Sequence, residues 1–188
     1  MRMSLLLGAS LLVPRMLSAQ DVWRPAAVEV RPFAGMFLPT GAQRADFTSA
    51  TIIGIQGAME FNRHVHAVGS VGRTHGRNKL FAKDGTNIWQ YDVGAELNLV
   101  RQIRVEWDLR PFVGAGAGGR TYEYRAPGVG TRSCYAGYAT AGAELQRELV
   151  AFRAEARDYL SCFDSPVTGV KRTRNDLGLT VGVAYHLR

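Results

Sequence analysis

Among the 188 residues are four histidines, two cysteines and sixteen carboxylates. His64 and His66 stand two apart, which places both on one face if the segment is extended, and His186 is a candidate for the same wall. Zinc asks for a third ligand and for second-shell partners to orient the set. No spacing in the chain demands one, so these histidines read as hydrogen-bonded side chains, and no metal or other cofactor is expected. Ser70 lies four residues from His66 and shares its face, but no His-x-Ser pair stands on the opposite, apolar face. Catalysis by a Ser/His/acid set is therefore not expected. Gly114 to Gly119 imitates a phosphate loop only in composition: no Lys-Ser/Thr follows, and nothing there opens a helix.

What the charged residues do have is rhythm. In Asp108 to Arg120 the odd positions are Leu109, Pro111, Val113, Ala115 and Ala117. The even ones are Asp108, Arg110, Phe112, Gly114, Gly116, Gly118 and Arg120. A period of two is the signature of a strand with two unlike faces. The same division recurs in Val28 to Phe37, Ala50 to Phe61, His64 to Gly72, Asn87 to Leu99, Cys134 to Gln146, Leu149 to Ser161 and Asp176 to Arg188. Short connections are expected at Asn62-Arg63, Val100 to Glu106 and Arg147-Glu148. They alternate with long polar loops at Leu38 to Ser49, Arg73 to Thr86, Arg120 to Ser133 and Cys162 to Asn175. Eight segments near ten residues long, with short and long connections in turn, predict an all-β fold. It is an eight-stranded antiparallel up-and-down transmembrane β-barrel with both termini at the short-turn end.

The alternation alone would also suit a water-soluble barrel. Three features favour the inverted version. The apolar faces carry no mid-strand charge, Arg73 and Asp158 lying toward strand ends. The polar faces are crowded with small residues, as the interior of a narrow barrel requires. Aromatic residues gather at strand ends, with Trp89, Tyr91, Tyr122, Tyr124 and Tyr135 near the long loops. Phe61, Trp107, Phe152 and Tyr185 lie near the short turns, so two girdles are expected. The outward face of Gly137 to Ala143 is the weakly apolar exception.

The first residues fit export. Met1-Arg2-Met3 is positive, Ser4 to Val13 is short and apolar, and Pro14 to Gln20 offers a small-residue exit, so residues 1–19 are expected to be a cleaved signal peptide and 20–188 a single barrel domain. Export sets the net charge of +7 apart from nucleic-acid binding. It also lets Cys134 and Cys162 pair. If Gln146 faces Leu149 across the Arg147-Glu148 turn, Cys134 falls opposite Ser161, one residue short of Cys162. A bridge is expected there, with the faces matching if the strands end or bulge at that point.

The strand motifs Val30-Arg-Pro-Phe-Ala-Gly35 and Leu109-Arg-Pro-Phe-Val-Gly-Ala-Gly116 resemble those of small outer-membrane β-barrel domains, the OmpA/OmpX-like superfamily. Phe152-Arg-Ala-Glu-Ala-Arg-Asp-Tyr159 is similar to a penultimate-strand pattern of that group. The resemblance implies a bacterial outer-membrane address and recognition by the outer-membrane assembly machinery. These barrels usually end on an aromatic residue, whereas Tyr185-His-Leu-Arg188 stands here, so either Tyr185 serves in that role or the assembly signal is atypical.

Two sets of charges then acquire expected positions. Glu29, Arg31, Glu60, Asp92, Glu96, Asp108, Arg110, Glu144, Arg153, Glu155 and Arg157 should face the lumen, where a buried charge needs a partner. Gly54, Gly94, Gly114, Gly142 and Gly182 should make room for the long arms. Arg77, Lys79, Lys83, Arg120, Arg125, Arg132, Lys171, Arg172 and Arg174 make the external loops basic, suited to phosphorylated glycolipid headgroups. The expected function is non-enzymatic: a monomeric barrel with a plugged polar lumen, structural or ligand-binding at the envelope. The alternatives are a narrow porin-like channel and a soluble exported lipocalin-like carrier.

Overall fold

The computed structural model describes residues 27–40, 44, 47–62, 64–77, 79, 85–99, 101–104, 107–125, 128–164 and 171–187. The signal peptide, Lys83 and Arg188 lie outside them. The strands are β1 (Val28–Pro39), β2 (Ala50–Asn62), β3 (Val65–Arg77), β4 (Gly85–Asn98), β5 (Arg101–Arg104), β6 (Trp107–Tyr124), β7 (Arg132–Arg147), β8 (Val150–Asp164) and β9 (Lys171–Leu187). Every pairing is antiparallel, between chain neighbours apart from β4 with β6 and β1 with β9, and the last of these closes the sheet. β5 is an addition inside a turn. It pairs only with the start of β6, while β4 pairs with β6 directly along its length. Eight strands therefore make the wall.

The stagger of that wall can be followed residue by residue. From Val28 the register runs to Met59, Ala67, Ala95, Ala115, Ala139, Asp158 and Leu177, and returns to β1 at Leu38, ten residues along. A stagger of this size tilts the strands by roughly 35–45° and leaves an interior that side chains can fill.

All eight alternations fall on the faces read from the sequence. Ile53, Ile55, Val93, Val113, Phe152 and Val181 point outward and are exposed, while Glu29, Arg31, Glu96, Glu144, Arg153 and Arg157 point inward and are buried. This is the inside-out arrangement of a transmembrane barrel, whose apolar band needs hydrocarbon around it. Trp89, Tyr91 and Tyr135 face outward toward the loop end, and Phe61, Phe152 and Tyr185 toward the turn end. Tyr122 and Tyr124 depart from the expected girdle: their even positions on β6 turn them into the barrel, where Tyr122 is fully buried.

Strand ends are where expectation and structure part. The segment around Val100 contains β5 rather than a plain turn. The β7–β8 hairpin, the last of the short turns, turns at Glu148-Leu149, not Arg147-Glu148, with Arg147 paired to Val150 and Glu148 in the left-handed region at φ 55°. At the loop end the strands run well past their expected limits. Arg77 closes β3, Arg120 lies inside β6, Arg132 opens β7, and Lys171, Arg172 and Arg174 belong to β9. The ladder continues because its hydrogen bonds, worth less in water than in lipid, still contribute about 0.5–1.5 kcal/mol each, and alternate residues such as Thr74, Thr86, Ile88 and Tyr122 still bury their side chains.

The two-residue shift of this hairpin sets Ser161 opposite Ala136, where the β7–β8 ladder ends. Cys134 and Cys162 lie just beyond and form a disulfide, with Cα atoms 5.8 Å apart. The bridge staples the rim where backbone pairing stops. Alkylation of exported protein without reductant should therefore label no thiol. The Cys134→Ser, Cys162→Ser variant should lose about 2–4 kcal/mol of unfolding free energy. Two labelled thiols in the unreduced protein would contradict the pairing.

Candidate functional site

The alternation of β1, β4, β7 and β8 delivers acids and arginines to one interior, and the stagger brings them to matching heights. Arg31 sits on β1. Its Nη2 lies 2.5 Å from Glu29 Oε2, and its Nη1 donates to Glu96 Oε2 at 2.9 Å and Gln56 Oε1 at 3.1 Å. Arg153 reaches from β8, donating from Nη1 to Glu144 Oε1 and from Nη2 to Glu96 Oε1, both at 2.5 Å. Its Nε holds Glu155 Oε2 at 3.1 Å. Arg157 continues upward, with Nε on Glu155 Oε1 at 2.7 Å and Nη1 on Asp92 Oδ2 at 3.2 Å. Tyr159 also donates to Asp92 Oδ2, at 2.8 Å, and Thr140 Oγ1 to Glu155 Oε1 at 2.9 Å. The result is one connected lattice, Glu29–Arg31–Glu96/Glu144–Arg153–Glu155–Arg157–Asp92. It crosses from β1 to β4 and from β4 to β8, wall to wall.

The glycines support it in a way the sequence did not suggest. Gly142 and Gly116 seat aromatic rings over which arginines lie, while Gly114 makes room for Glu96 as expected. A Cβ on Gly142 would overlap the ring of Phe112, and Arg153 lies 3.6 Å above that ring. A Cβ on Gly116 would come within 2.5 Å of Tyr138 Cε1, and Arg157 lies 4.5 Å over Tyr138. Each of these two guanidiniums thus has a π face beneath it and carboxylates at its edge, two favourable settings for a buried cation.

The two ends of the lumen differ. Toward the loops, Arg120 pairs with Asp176 across the interior, both fully buried, and stacks 4.1 Å over Tyr159. Above it Phe37, Phe47, Ile52, Ile88 and Tyr122 form an apolar cluster, with Phe33 and Tyr124 against it. Phe47 comes from the connection between β1 and β2 and is 2% exposed. At the turn end an open hollow of about 170 Å³ is lined by Glu29, Glu60, Arg110, Gln146, Glu148 and His186.

The expected lumen residues all face the interior, but they divide into two groups. Eight of them join the lattice. Glu60, Asp108 and Arg110 sit half-buried toward the turn end instead, with Glu60 and Arg110 lining the hollow. His66 and His186 approach the same carboxylate oxygen, Glu29 Oε1, at 3.9 and 3.1 Å. His64 does not join them: it is exposed in the β2–β3 turn, with Nδ1 3.1 Å from the Asn98 carbonyl oxygen. Of the expected basic loop residues, Lys79, Arg125 and Arg132 are exposed at the loop end. Arg120 and Arg174 are corrections, because both are buried on lumen-facing positions of extended strands. The period of two had already put Arg120 on the polar face of Asp108 to Arg120, against its count among the loop cations, and started before Asp176 it would have found Arg174 as well.

No family model and no curated protein sequence matches the chain. Solved structures do match, as folds. The Neisserial surface protein NspA is 13% identical, with 85% of this chain and 97% of that one covered at a TM-score of 0.61. The outer membrane protein OprG from Pseudomonas aeruginosa is also 13% identical, over 87% and 96%, with a TM-score of 0.61. The N-terminal β-barrel domain of OprF from the same organism is 17% identical over 86% and 97%, with a TM-score of 0.57. The fold is that of the small outer-membrane barrels, as the strand motifs implied.

The geometry separates two arginines that look alike in sequence. Arg153 is buried and touches three carboxylates, so Arg153→Ala should cost roughly 3–5 kcal/mol by stranding their charges. Arg110 is half-exposed at the open hollow, so Arg110→Ala should cost about 1 kcal/mol or less. Denaturant unfolding of the two variants in detergent micelles measures the difference. Equal losses would contradict the division.

Proposed function

We propose that the chain is a non-enzymatic, monomeric barrel of the bacterial outer membrane, exported through a cleaved signal peptide and serving the envelope as a structural element with a plugged lumen and a basic external end. The observation that carries this reading is the pairing of an exposed apolar wall with an interior filled by the arginine–carboxylate lattice. A lipocalin-like carrier needs the reverse, a solvated outer face and an apolar cavity. A channel needs a continuous watery path, and here guanidiniums stacked on Phe112 and Tyr138 occupy the section midway. Tyr185, outward at the turn end of β9, is the aromatic residue placed for recognition by the assembly machinery. Outer-membrane lipid and glycolipid headgroups are the partners proposed for the basic end.

Two measurements test this. The mature chain should fold only with detergent or lipid, and unboiled samples should migrate differently from boiled ones in denaturing gels. Monodisperse folded protein in plain buffer would overturn the membrane assignment. In planar bilayers the wild type should show little steady conductance. The connected lattice holds five carboxylates against three guanidiniums, so water entering it would favour cations. Large, stable, cation-selective openings would replace the plug with a pore.

A further inference from the structure

Cations are not spread evenly around the outer wall. At the loop end the outward residues are Thr51 and Ile53 on β2, Asn87, Trp89 and Tyr91 on β4, Thr121 and Glu123 on β6, and Ser133 and Tyr135 on β7. Asp158 and Leu160 on β8, Asn175 and Leu177 on β9, and Met36 and Leu38 on β1 complete the circuit. Among the described strand side chains, the outward basic residues of this end stand on β3, as Arg73, His75 and Arg77, all exposed, with exposed Arg125 beside His75 where both border Gly85. Alternate residues of a strand lie about 7 Å apart on one face, so the three make a straight basic ridge running from the apolar belt to the rim.

The lower end of the ridge is built rather than loose. Arg73 is flanked by exposed Ile53 on β2 and Trp89 on β4, its strand partners, with exposed Val71 below it on its own strand. A cation beside such a surface is unfavourable unless its head reaches the interface. Its guanidinium stacks 5.4 Å from the Trp89 ring and donates through Nη2 to Asn87 Oδ1 at 3.1 Å. Asn87 is the partner of His75, not of Arg73, so the bond draws the charge rimward. His75 Nδ1 meets the same oxygen at 2.8 Å. Asn87 Nδ2 faces Glu123 Oε2 at 3.5 Å, which places one carboxylate on the flank two strands away.

We infer that this ridge is a docking site for the phosphate group of an outer-leaflet lipid, with the Arg73 and Arg77 guanidiniums holding the phosphate oxygens, His75 standing between them, and the wall around Val71, Ile53 and Tyr91 lying along the acyl chains. The inference rests on the reading of this wall as membrane-spanning and adds the lipid class and the residues. Guanidinium matches phosphate with paired, charge-assisted hydrogen bonds. The apolar surface directly below the cations favours an amphiphile over a free anion, because a soluble phosphate gains nothing from it.

The test uses wild-type protein folded in zwitterionic detergent micelles, titrated with bisphosphorylated lipid A and with the same lipid after removal of its phosphates. Wild type should prefer the phosphorylated lipid by about ten-fold, one charge-assisted contact's worth. The variant R73Q/H75Q/R77Q should lose that preference. Arg147→Gln should keep it: Arg147 is also stacked, 5.6 Å over Trp107, but at the opposite end of the barrel. Equal binding of the two lipids by wild type, or an undiminished preference in the triple variant, would overturn the inference. So would displacement of the lipid by millimolar inorganic phosphate, which would make the site one for soluble anions. If the triple variant does not fold, Arg77→Gln and the two-lipid comparison on wild type decide. Heat-modifiable gel mobility on the same samples separates the two levels. A wild type that never folds in micelles overturns the membrane reading and this inference together, and a folded wild type without the phosphate preference overturns the inference alone.

Discussion

Closure of the backbone ladder between β1 and β9 is the constraint from which the rest follows. Unpaired N–H and C=O groups cost several kcal/mol each in hydrocarbon, so a sheet that crosses a bilayer has to consume its own edges. Eight strands with a stagger of ten do so at a diameter that side chains alone can fill. Once that diameter is set, every second residue is committed to a narrow interior. What remains open is only which side chains fill it, and this chain fills it with ions.

Ions inside a barrel are a costly filling unless each is satisfied several times over. The lattice achieves this by stacking contacts in a fixed sequence: glycine backbone, aromatic ring, guanidinium, carboxylate. Gly142, Phe112, Arg153 and Glu144 form one such stack, and Gly116, Tyr138 and Arg157 with Glu155 form another. Glycine is needed because a Cβ would hold the ring off the wall, and the ring is needed because it supports a planar cation without competing for its N–H groups. Replacing such a set wholesale by apolar side chains need not weaken the fold, since buried ion pairs are often no stronger than well-packed apolar substitutes. What the lattice does provide is register: each arginine meets carboxylates on particular strands, and a slip of the stagger would strand them.

The faces of the strands were legible because alternation is local: Val113 and Arg110 declare opposite sides within four residues. The limits of the strands were not, because polar residues such as Arg77, Arg120 and Arg174 mark the edge of the bilayer rather than the edge of the sheet. Arg120 shows the cost of confusing the two. It reads as a loop cation, yet it is a fully buried partner of Asp176. Lumen membership was legible for the same reason as the faces, whereas partnership was not. Whether Arg31 meets Glu96 depends on stagger accumulated over β2 and β3, which turns on hairpin details such as the register shift between Glu60 and Asn62. Phe47 was hidden for another reason: a single aromatic in a polar connection carries no period at all.

The asymmetry between the two ends bears on how such a barrel meets its surroundings. Toward the loops the interior is shut twice, by the buried Arg120–Asp176 pair and by the apolar cluster that Phe47 completes. Toward the turns it opens into a polar hollow lined by Glu60 and Arg110. An external ligand entering the lumen would have to displace a packed aromatic cluster and then break a buried ion pair, losing contacts on both counts before making any. The outer wall asks for no such loss. Arg73, His75 and Arg77 are already exposed, and a phosphate there replaces their hydration and at most the bonds that Arg73 and His75 make to Asn87. On the function proposed above, contact with the outside belongs to the wall and the loops, while the lumen holds the strands in register.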